Sequence, residues 1–417
     1  MRAEAPTPET IVHAALDRLA GDLPRIGIAL SGGGDSTALM HLVHGWAGPR
    51  GTALMAATVD HGLRAGSAAE ARQAGAAAQA LGIPHDILIW QREGAGNLMA
   101  AARDARLRLL SDWALRHGLN AVVLGHTQDD QAETLVMRLN RGAGVDGLSG
   151  MAPARAAMGT RWLRPMLDVS RADLRHWLVA RGIGWAEDPS NRNEDFERIR
   201  ARNALAALGL PLPQLAQSAA NLALAREALQ VFAAQVARGA TAMAGALDLP
   251  LAAFRAAPLD IRRRLLVAGL RHVTGADYPP RRAPLLAALD ALQGEARLTL
   301  DGVILGPRGG ALRLIREPAA ARRSPPGLPD AQGTALWDGR WRLTGLGQGQ
   351  EVRALGYDML ADRDWRASGL SRDEAASSPA VWSQGALIAA PLLESAGPVA
   401  ARPLRGLGEF DALLYTH

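Results

Sequence analysis

The chain has 417 residues, of which 48% are hydrophobic and 21% charged, a balance that suits globular domains and is long enough for two or three of them. It has no cysteine, which excludes disulfide frameworks, thiolate zinc sites, iron-sulfur clusters and cysteine nucleophiles. All 46 basic residues are arginine, which excludes a phosphate-loop lysine and a Schiff-base lysine, and the formal charge of +5 permits a polyanionic partner without demanding one.

In chain order, Thr7, Pro8 and Glu9 open a helix in which Ile11, Val12, Ala15, Leu16 and Leu19 repeat at helical spacing. Short apolar runs over 26–30, 54–59, 87–90 and 121–124 predict strands, and the alanine-rich segments 67–81 and 98–116 predict helices between them. This alternation predicts an α/β fold, a doubly wound parallel sheet with its ligands at the carboxyl ends of the strands.

The stretch 209–213 breaks the pattern, and a long helix over 214–238 is expected to lead into a second unit. Helices over 261–272 and 283–292 and strands over 296–300 and 303–305, turned at Asp301-Gly302, follow. Residues 317–329, rich in Pro, Ala and Arg, are expected to form a linker. The last part opens with a hairpin at Asp338-Gly339 and is expected to be mostly β. The expected domains are 1–208, 209–317 with α+β character, a linker over 318–332, and a small domain over 333–417. The first ten residues lack an apolar signal core and no apolar run is long enough to span a bilayer, so a cytoplasmic protein without membrane contact is expected.

The strongest chemical signal is the run Ser31, Gly32, Gly33, Gly34, Asp35, Ser36, between the first strand and an apolar helix. Three glycines let the backbone approach an anion, and the helix that follows presents unpaired N–H groups and a positive dipole end. This is a phosphate cradle without a lysine. An aspartate within it makes sense if a cation such as Mg2+ bridges Asp35 to the phosphates.

This run resembles the SGGxDS loop of the N-type (PP-loop) ATP pyrophosphatases, which cleave ATP between the α and β phosphates and adenylate a carbonyl or ureido oxygen. NAD synthetase, GMP synthetase, argininosuccinate synthetase and tRNA thiolation enzymes share the loop. Further motifs narrow the choice: Val59-Asp-His-Gly-Leu-Arg64, Asn97 to Arg106, Gly125-His-Thr-Gln-Asp-Asp-Gln-Ala-Glu-Thr134, Arg141-Gly-Ala-Gly144, Gly147 to Met151, Arg164-Pro-Met-Leu167 and Glu187-Asp-Pro-Ser-Asn191. In this order, over about residues 20–205, they resemble the bacterial tRNA(Ile) lysidine synthetases. The resemblance implies a PP-loop domain of the adenine nucleotide alpha hydrolase type, followed by C-terminal domains that read the tRNA body.

That family uses ATP to adenylate the 2-keto oxygen of the wobble cytidine in a CAU anticodon, after which the ε-amine of free L-lysine displaces AMP. The resemblance therefore implies ATP, Mg2+, tRNA(Ile) and lysine as ligands; a homodimer stays open. Ser31, Gly32, Gly33, Gly34 and Ser36 would hold phosphate oxygens, with Asp35 and Asp130 as metal ligands. Free lysine, with a pKa of about 10.4, is neutral at pH 7 in only about one molecule in 2,500, a penalty of about 4.6 kcal/mol. Asp130 and Glu133, three apart on one helix, share a face and are expected to hold the ammonium and take its proton. A solvated helix face stabilised by Arg138 is the alternative.

Arg103 and Arg106, also three apart, suit a phosphate or the lysine carboxylate, or else an ordinary charged surface. His126 either contacts the nucleotide or caps its loop, and Asp60 and His61 are expected on the adenosine side. Asn191, Arg198 and Arg202 belong to an arginine-rich run expected to touch tRNA phosphates, a salt-bridged surface helix being the alternative. A thiolation enzyme on the same domain would need cysteine, sulfide or a cluster, and an ammonia-dependent amide ligase would not need the 126–133 motif or the C-terminal domains. A catalytically silent RNA-binding protein would have no reason to keep Asp35, Asp130 and Glu133 together.

Overall fold

The computed structural model describes residues 6–62, 66–91, 98–186, 197–361, 363–394 and 397–415, with the side chains of 98–100 and 103 left aside. The chain divides into two compact units, Met1–Arg226 and Glu227–His417. Among the described residues no helix is long and apolar enough to cross a membrane.

The first unit runs α1 (Pro8–Ala20), β1 (Arg25–Ala29), α2 (Gly34–Ala47), β2 (Ala53–Asp60), α3 (Ser67–Ala80), β3 (His85–Ile89), α4 (Leu98–Arg116), β4 (Ala121–Val123) and α5 (Gln128–Asn140). It continues through α6 (Val145–Leu148), β5 (Ala154–Ala157), β6 (Thr160–Leu163), α7 (Arg171–Ala180) and α8 (Glu197–Ala207), and α9 (Leu212–Val236) crosses into the second unit. Its six-stranded sheet has the order β3-β2-β1-β4-β6-β5, parallel except for the β5–β6 hairpin. The four strands and the doubly wound sheet expected from the sequence are present. The hairpin is an addition: its strands are four residues each and it turns on Met158 and Gly159, both at positive φ, without the Asn-Gly or Asp-Gly pair that announces such turns.

Each face of this sheet has its own core. Val12, Leu16, Ile26, Ile28, Leu39, Met40, Val43 and Trp46 pack on one side, and Leu110, Trp113, Val122 and Trp162 on the other. All of β1 except its first residue is buried, as a central parallel strand covered on both faces must be. The chain leaves β1 toward β2 on one side of the sheet and toward β4 on the other. The carboxyl ends of β1 and β4 therefore flank the point where strand order reverses, the place such folds bind ligands.

The second unit holds β7 (Thr241–Met243), β8 (Ala246–Pro250), α10 (Leu251–Ala256), α11 (Leu259–Thr274), α12 (Arg282–Ala291), β9 (Leu298–Leu300), β10 (Val303–Arg308) and β11 (Ala311–Arg316). After these come α13 (Pro318–Arg323), β12 (Ala335–Trp337), β13 (Trp341–Thr344), β14 (Glu351–Ala354), α14 (Arg372–Ala376), β15 (Pro379–Ser383), β16 (Ala386–Ala389), β17 (Ala400–Pro403) and α15 (Leu407–Tyr415). One antiparallel sheet has the order β7-β8-β11-β10-β9, and two three-stranded sheets have the orders β12-β13-β17 and β14-β15-β16. The turns at Asp301-Gly302 and Asp338-Gly339 are where the sequence placed them, all four residues at positive φ.

The segment expected to be a linker differs. Its first part folds as α13, with Pro318 in the first turn, Ala320 and Ala321 buried, and Ala321 packed with Trp337 and Trp341. Alanine's helix propensity and a proline at a helix start outweigh a composition that read as linker.

Candidate active site

The site begins at the end of β1. Gly32 adopts φ +82°, a conformation that side-chain-bearing residues rarely take, and so turns the chain into α2. The loop closes on its serines: Ser36 Oγ lies 2.9 Å from Ser31 Oγ, accepts from Ser31 N at 3.1 Å and donates to Gly33 O at 3.0 Å. Gly33 at the N-cap offers no side-chain cap, and among the described residues none is seen there, which leaves the first N–H groups of α2 suited to an anion. The β4 loop abuts this turn closely. A Cβ on Gly125 would lie 3.3 Å from the Ser36 backbone.

Beyond Gly125, Thr127 caps α5 and binds Asp130 reciprocally. Thr127 N donates to Asp130 Oδ2 at 2.8 Å, and Asp130 N donates weakly back to Thr127 Oγ1. This capping box fixes the Asp130 carboxylate, 6% exposed, with Oδ1 as its remaining acceptor. One turn on, Glu133 is 1% exposed. The pair is therefore buried rather than a solvated helix face, and Arg138 donates to Gly147 O and Gly150 O. With Gln131, whose side-chain amide bonds both N and O of Met151, Arg138 ties the glycine-rich 141–151 segment to α5.

The sequence reading missed Arg171, the first residue of α7. Its Nε donates to Asp35 Oδ2 at 3.0 Å and its Nη2 to Asp130 Oδ1 at 3.1 Å, while Nη1 lies 3.6 Å from Glu133 Oε1 and 3.8 Å from Asp129 Oδ1. Its backbone N–H adds a bond to Asp129 Oδ2 at 2.8 Å. Arg202 Nε donates to Glu133 Oε1 at 2.8 Å, and Arg198 Nε lies 3.2 Å from Oε2. Three guanidinium groups thus face four carboxylates. A faint signal existed: an arginine in the first turn of a helix opposes the helix dipole, so something else must hold it there.

The electrostatics follow from burial. It pushes the Asp35 carboxyl above its ordinary range against the pull of Arg171, and raises Glu133 in spite of Arg202 and Arg171. For Asp130 burial also acts upward, but Arg198, Arg171 and the Thr127 N–H outweigh it and hold the group low. Arg171 is pushed up despite its burial, by the carboxylates around it. Burial drives His126 down to about 3, aided by Arg164, Arg106 and Arg198, so the ring is neutral at pH 7. Among the described residues its buried Nδ1 has no hydrogen-bond partner, nor has Nδ1 of His61, whose ring stands edge-on to Trp90. Burial and Arg106 lower His61 as well.

The fold thus brings Asp35, Asp130, Glu133, Arg198 and Arg202 together. Asp60 lies at the end of β2, its carboxylate bonded to Ser67 and to Gly62 N, which keep it ionised. Arg106 is exposed on α4, near enough to lower both histidines. The Arg103 side chain and Asn191 lie outside the described residues. Asp35 and Asp130 offer hard oxygen donors that converge on a single cationic group, which fits a magnesium ion held by two carboxylates with phosphates and water completing its shell.

The chain is similar to known proteins over nearly its whole length. A family model described as a PP-loop domain matches residues 8–208. The tRNA(Ile)-lysidine synthase of Ruegeria pomeroyi is 46% identical over 401 residues, 94% of this chain and 94% of that protein. The enzyme of the same name from Bradyrhizobium diazoefficiens is 38% identical over 332 residues (72% and 92% of the two chains), and that of Rhizobium meliloti 37% over 375 (82% and 79%).

Proposed function

The chain belongs to the tRNA(Ile)-lysidine synthase family, and we propose that it adenylates the 2-keto oxygen of the wobble cytidine of tRNA(Ile) with a CAU anticodon and transfers L-lysine to the activated carbon. AMP and pyrophosphate are the other products. The observation that carries this reading is the convergence of Asp35, Asp130 and Glu133 at the carboxyl ends of β1 and β4, beside the glycine loop.

In this reading the backbone of Gly32, Gly33 and Gly34 with the Ser31 and Ser36 hydroxyls binds the ATP phosphates, and the neutral His126 with His61 and Asp60 lines the adenosine side. Asp35 and Asp130 would hold Mg2+, which when bound neutralises charge developing on the α phosphate. Asp130 and Glu133 receive the lysine ammonium. Glu133 takes the proton: burial raises its proton affinity toward that of the amine, which lowers the cost of presenting a neutral nucleophile. Arg103 and Arg106 would bind the lysine carboxylate or a phosphate, Asn191, Arg198 and Arg202 would bind anticodon-stem phosphates, and the second unit reads the tRNA body in the cytoplasm.

The test is incorporation of radiolabelled lysine into unfractionated bacterial tRNA, with ATP and Mg2+, comparing the wild type with Asp35→Ala. Acid-stable label that requires ATP and vanishes in the variant is the expected result. Pyrophosphate release on adding tRNA without label would show that the ATP chemistry is right and the nucleophile wrong.

A further inference from the structure

We propose that Arg171 is a positioning residue that acts as the resident cation of the Asp35–Asp130 pair, and that the divalent ion arriving with ATP takes its place on those oxygens. The inference rests on the reading above for the identity of the nucleotide, and on geometry for the rest. Asp130 has one oxygen tied to the N–H and O–H of Thr127, so Oδ1 is the acceptor it presents to a cation, and Arg171 Nη2 sits on it at 3.1 Å. The same guanidinium bridges to Asp35 Oδ2 at 3.0 Å, across 136 residues of chain.

A guanidinium and a divalent ion cannot both occupy these two oxygens at bonding distance, because their like charges would stand side by side. One must yield. Bidentate bridging by Arg171 holds the two carboxylates in register and screens their mutual repulsion while the site is without nucleotide. A bare divalent ion must displace that bridge with only two protein oxygens as compensation, whereas one carrying a polyphosphate brings further ligands with it. Arg171 therefore makes metal entry dependent on the nucleotide. The position supports this: the first turn of α7 is unfavourable for a cation unless carboxylates hold it there.

The test is Mn2+ binding without nucleotide, followed by electron paramagnetic resonance on the full chain. Removing the competing charge in Arg171→Met should tighten Mn2+ binding at least tenfold over the wild type, and adding Asp35→Asn to that variant should abolish the gain. A purely structural role for Arg171 would leave Mn2+ binding unchanged or weaker, and either result overturns the proposal. Should circular dichroism show Arg171→Met unfolded, Arg171→Lys decides: its compact ammonium cannot bridge both carboxylates, so Mn2+ binding should still be several-fold tighter, and affinity equal to the wild type refutes the displacement. Failure of lysine transfer by the wild type would count against the proposed reaction and leave this binding result standing.

Discussion

Arg202 Nε donates to Glu133 Oε1 at 2.8 Å, joining α8 to a carboxylate that is 1% exposed on α5. In this arrangement the group proposed to receive the lysine proton already sits against arginines proposed to meet tRNA phosphates. The charges of Arg202 and Arg171 offset part of the burial that raises its proton affinity.

Glu133→Gln keeps the shape and one acceptor oxygen but removes the base. A clear separation of the two steps is expected: tRNA-dependent pyrophosphate release within about threefold of the wild type, and lysine transfer down about 100-fold or more, in line with general-base losses. Measuring both products in one reaction checks this. Equal loss of both would remove Glu133 from the second step.

His126 should make the protein acid-sensitive. Its folded value of about 3 lies below the unfolded value of about 6.5, so between these the unfolded chain binds the extra proton and stability rises with pH. The contribution is fully present above about pH 6.5 and is lost as pH falls toward 3, about 3 kcal/mol of it by pH 4.5. Urea midpoints of the wild type and His126→Asn at pH 7 and pH 4.5 test the sign: the variant should lose less stability on acidification.

Gly125→Ala places a methyl group 3.3 Å from the Ser36 backbone, which has no side-chain freedom with which to yield. The glycine loop should shift by a few tenths of an ångström, raising the KM for ATP about three- to tenfold with little change in the thermal midpoint. An unchanged KM would mean that the two loops are not mechanically coupled.

In the second unit, Asp338 accepts from Arg316 Nη2 at 2.8 Å, from Arg340 Nε at 2.6 Å and from Ser324 Oγ. Burial acts to raise it, but these partners hold it low, while burial pushes Arg340 down to about 10. Asp338→Asn tolerates the positive φ of this turn but removes the charge and turns one acceptor oxygen into a donor facing a guanidinium, so it should cost about 3–5 kcal/mol. Denaturant unfolding of that variant measures it; a loss below about 1 kcal/mol would show the cluster to be redundant.

Much of the first unit was legible. The strand, glycine turn and helix at 26–36 announce themselves because a short continuous apolar run ends in glycines that permit the turn and is followed by an apolar helix. Asp130 and Glu133 were legible as a pair because a three-residue spacing puts them on one helical face, though only the structure shows that the face is buried. The β5–β6 hairpin and α13 were not legible: four-residue strands carry too little periodicity, and Pro-Ala-Arg composition suits a helix as well as a linker.

By itself the sequence determined the chemistry available, an anion loop with an aspartate, two carboxylates on one helix and no lysine or cysteine, because local spacing and residue type are properties of neighbouring positions. Only the tertiary structure decided which cations those carboxylates meet. Arg171 stands 136 residues from Asp35, and nothing local to Ser170-Arg171 states where a guanidinium on a long flexible stem will end. That is settled by the packing of α7 beside α2 and by burial, which makes an unpaired carboxylate too costly to leave without a partner.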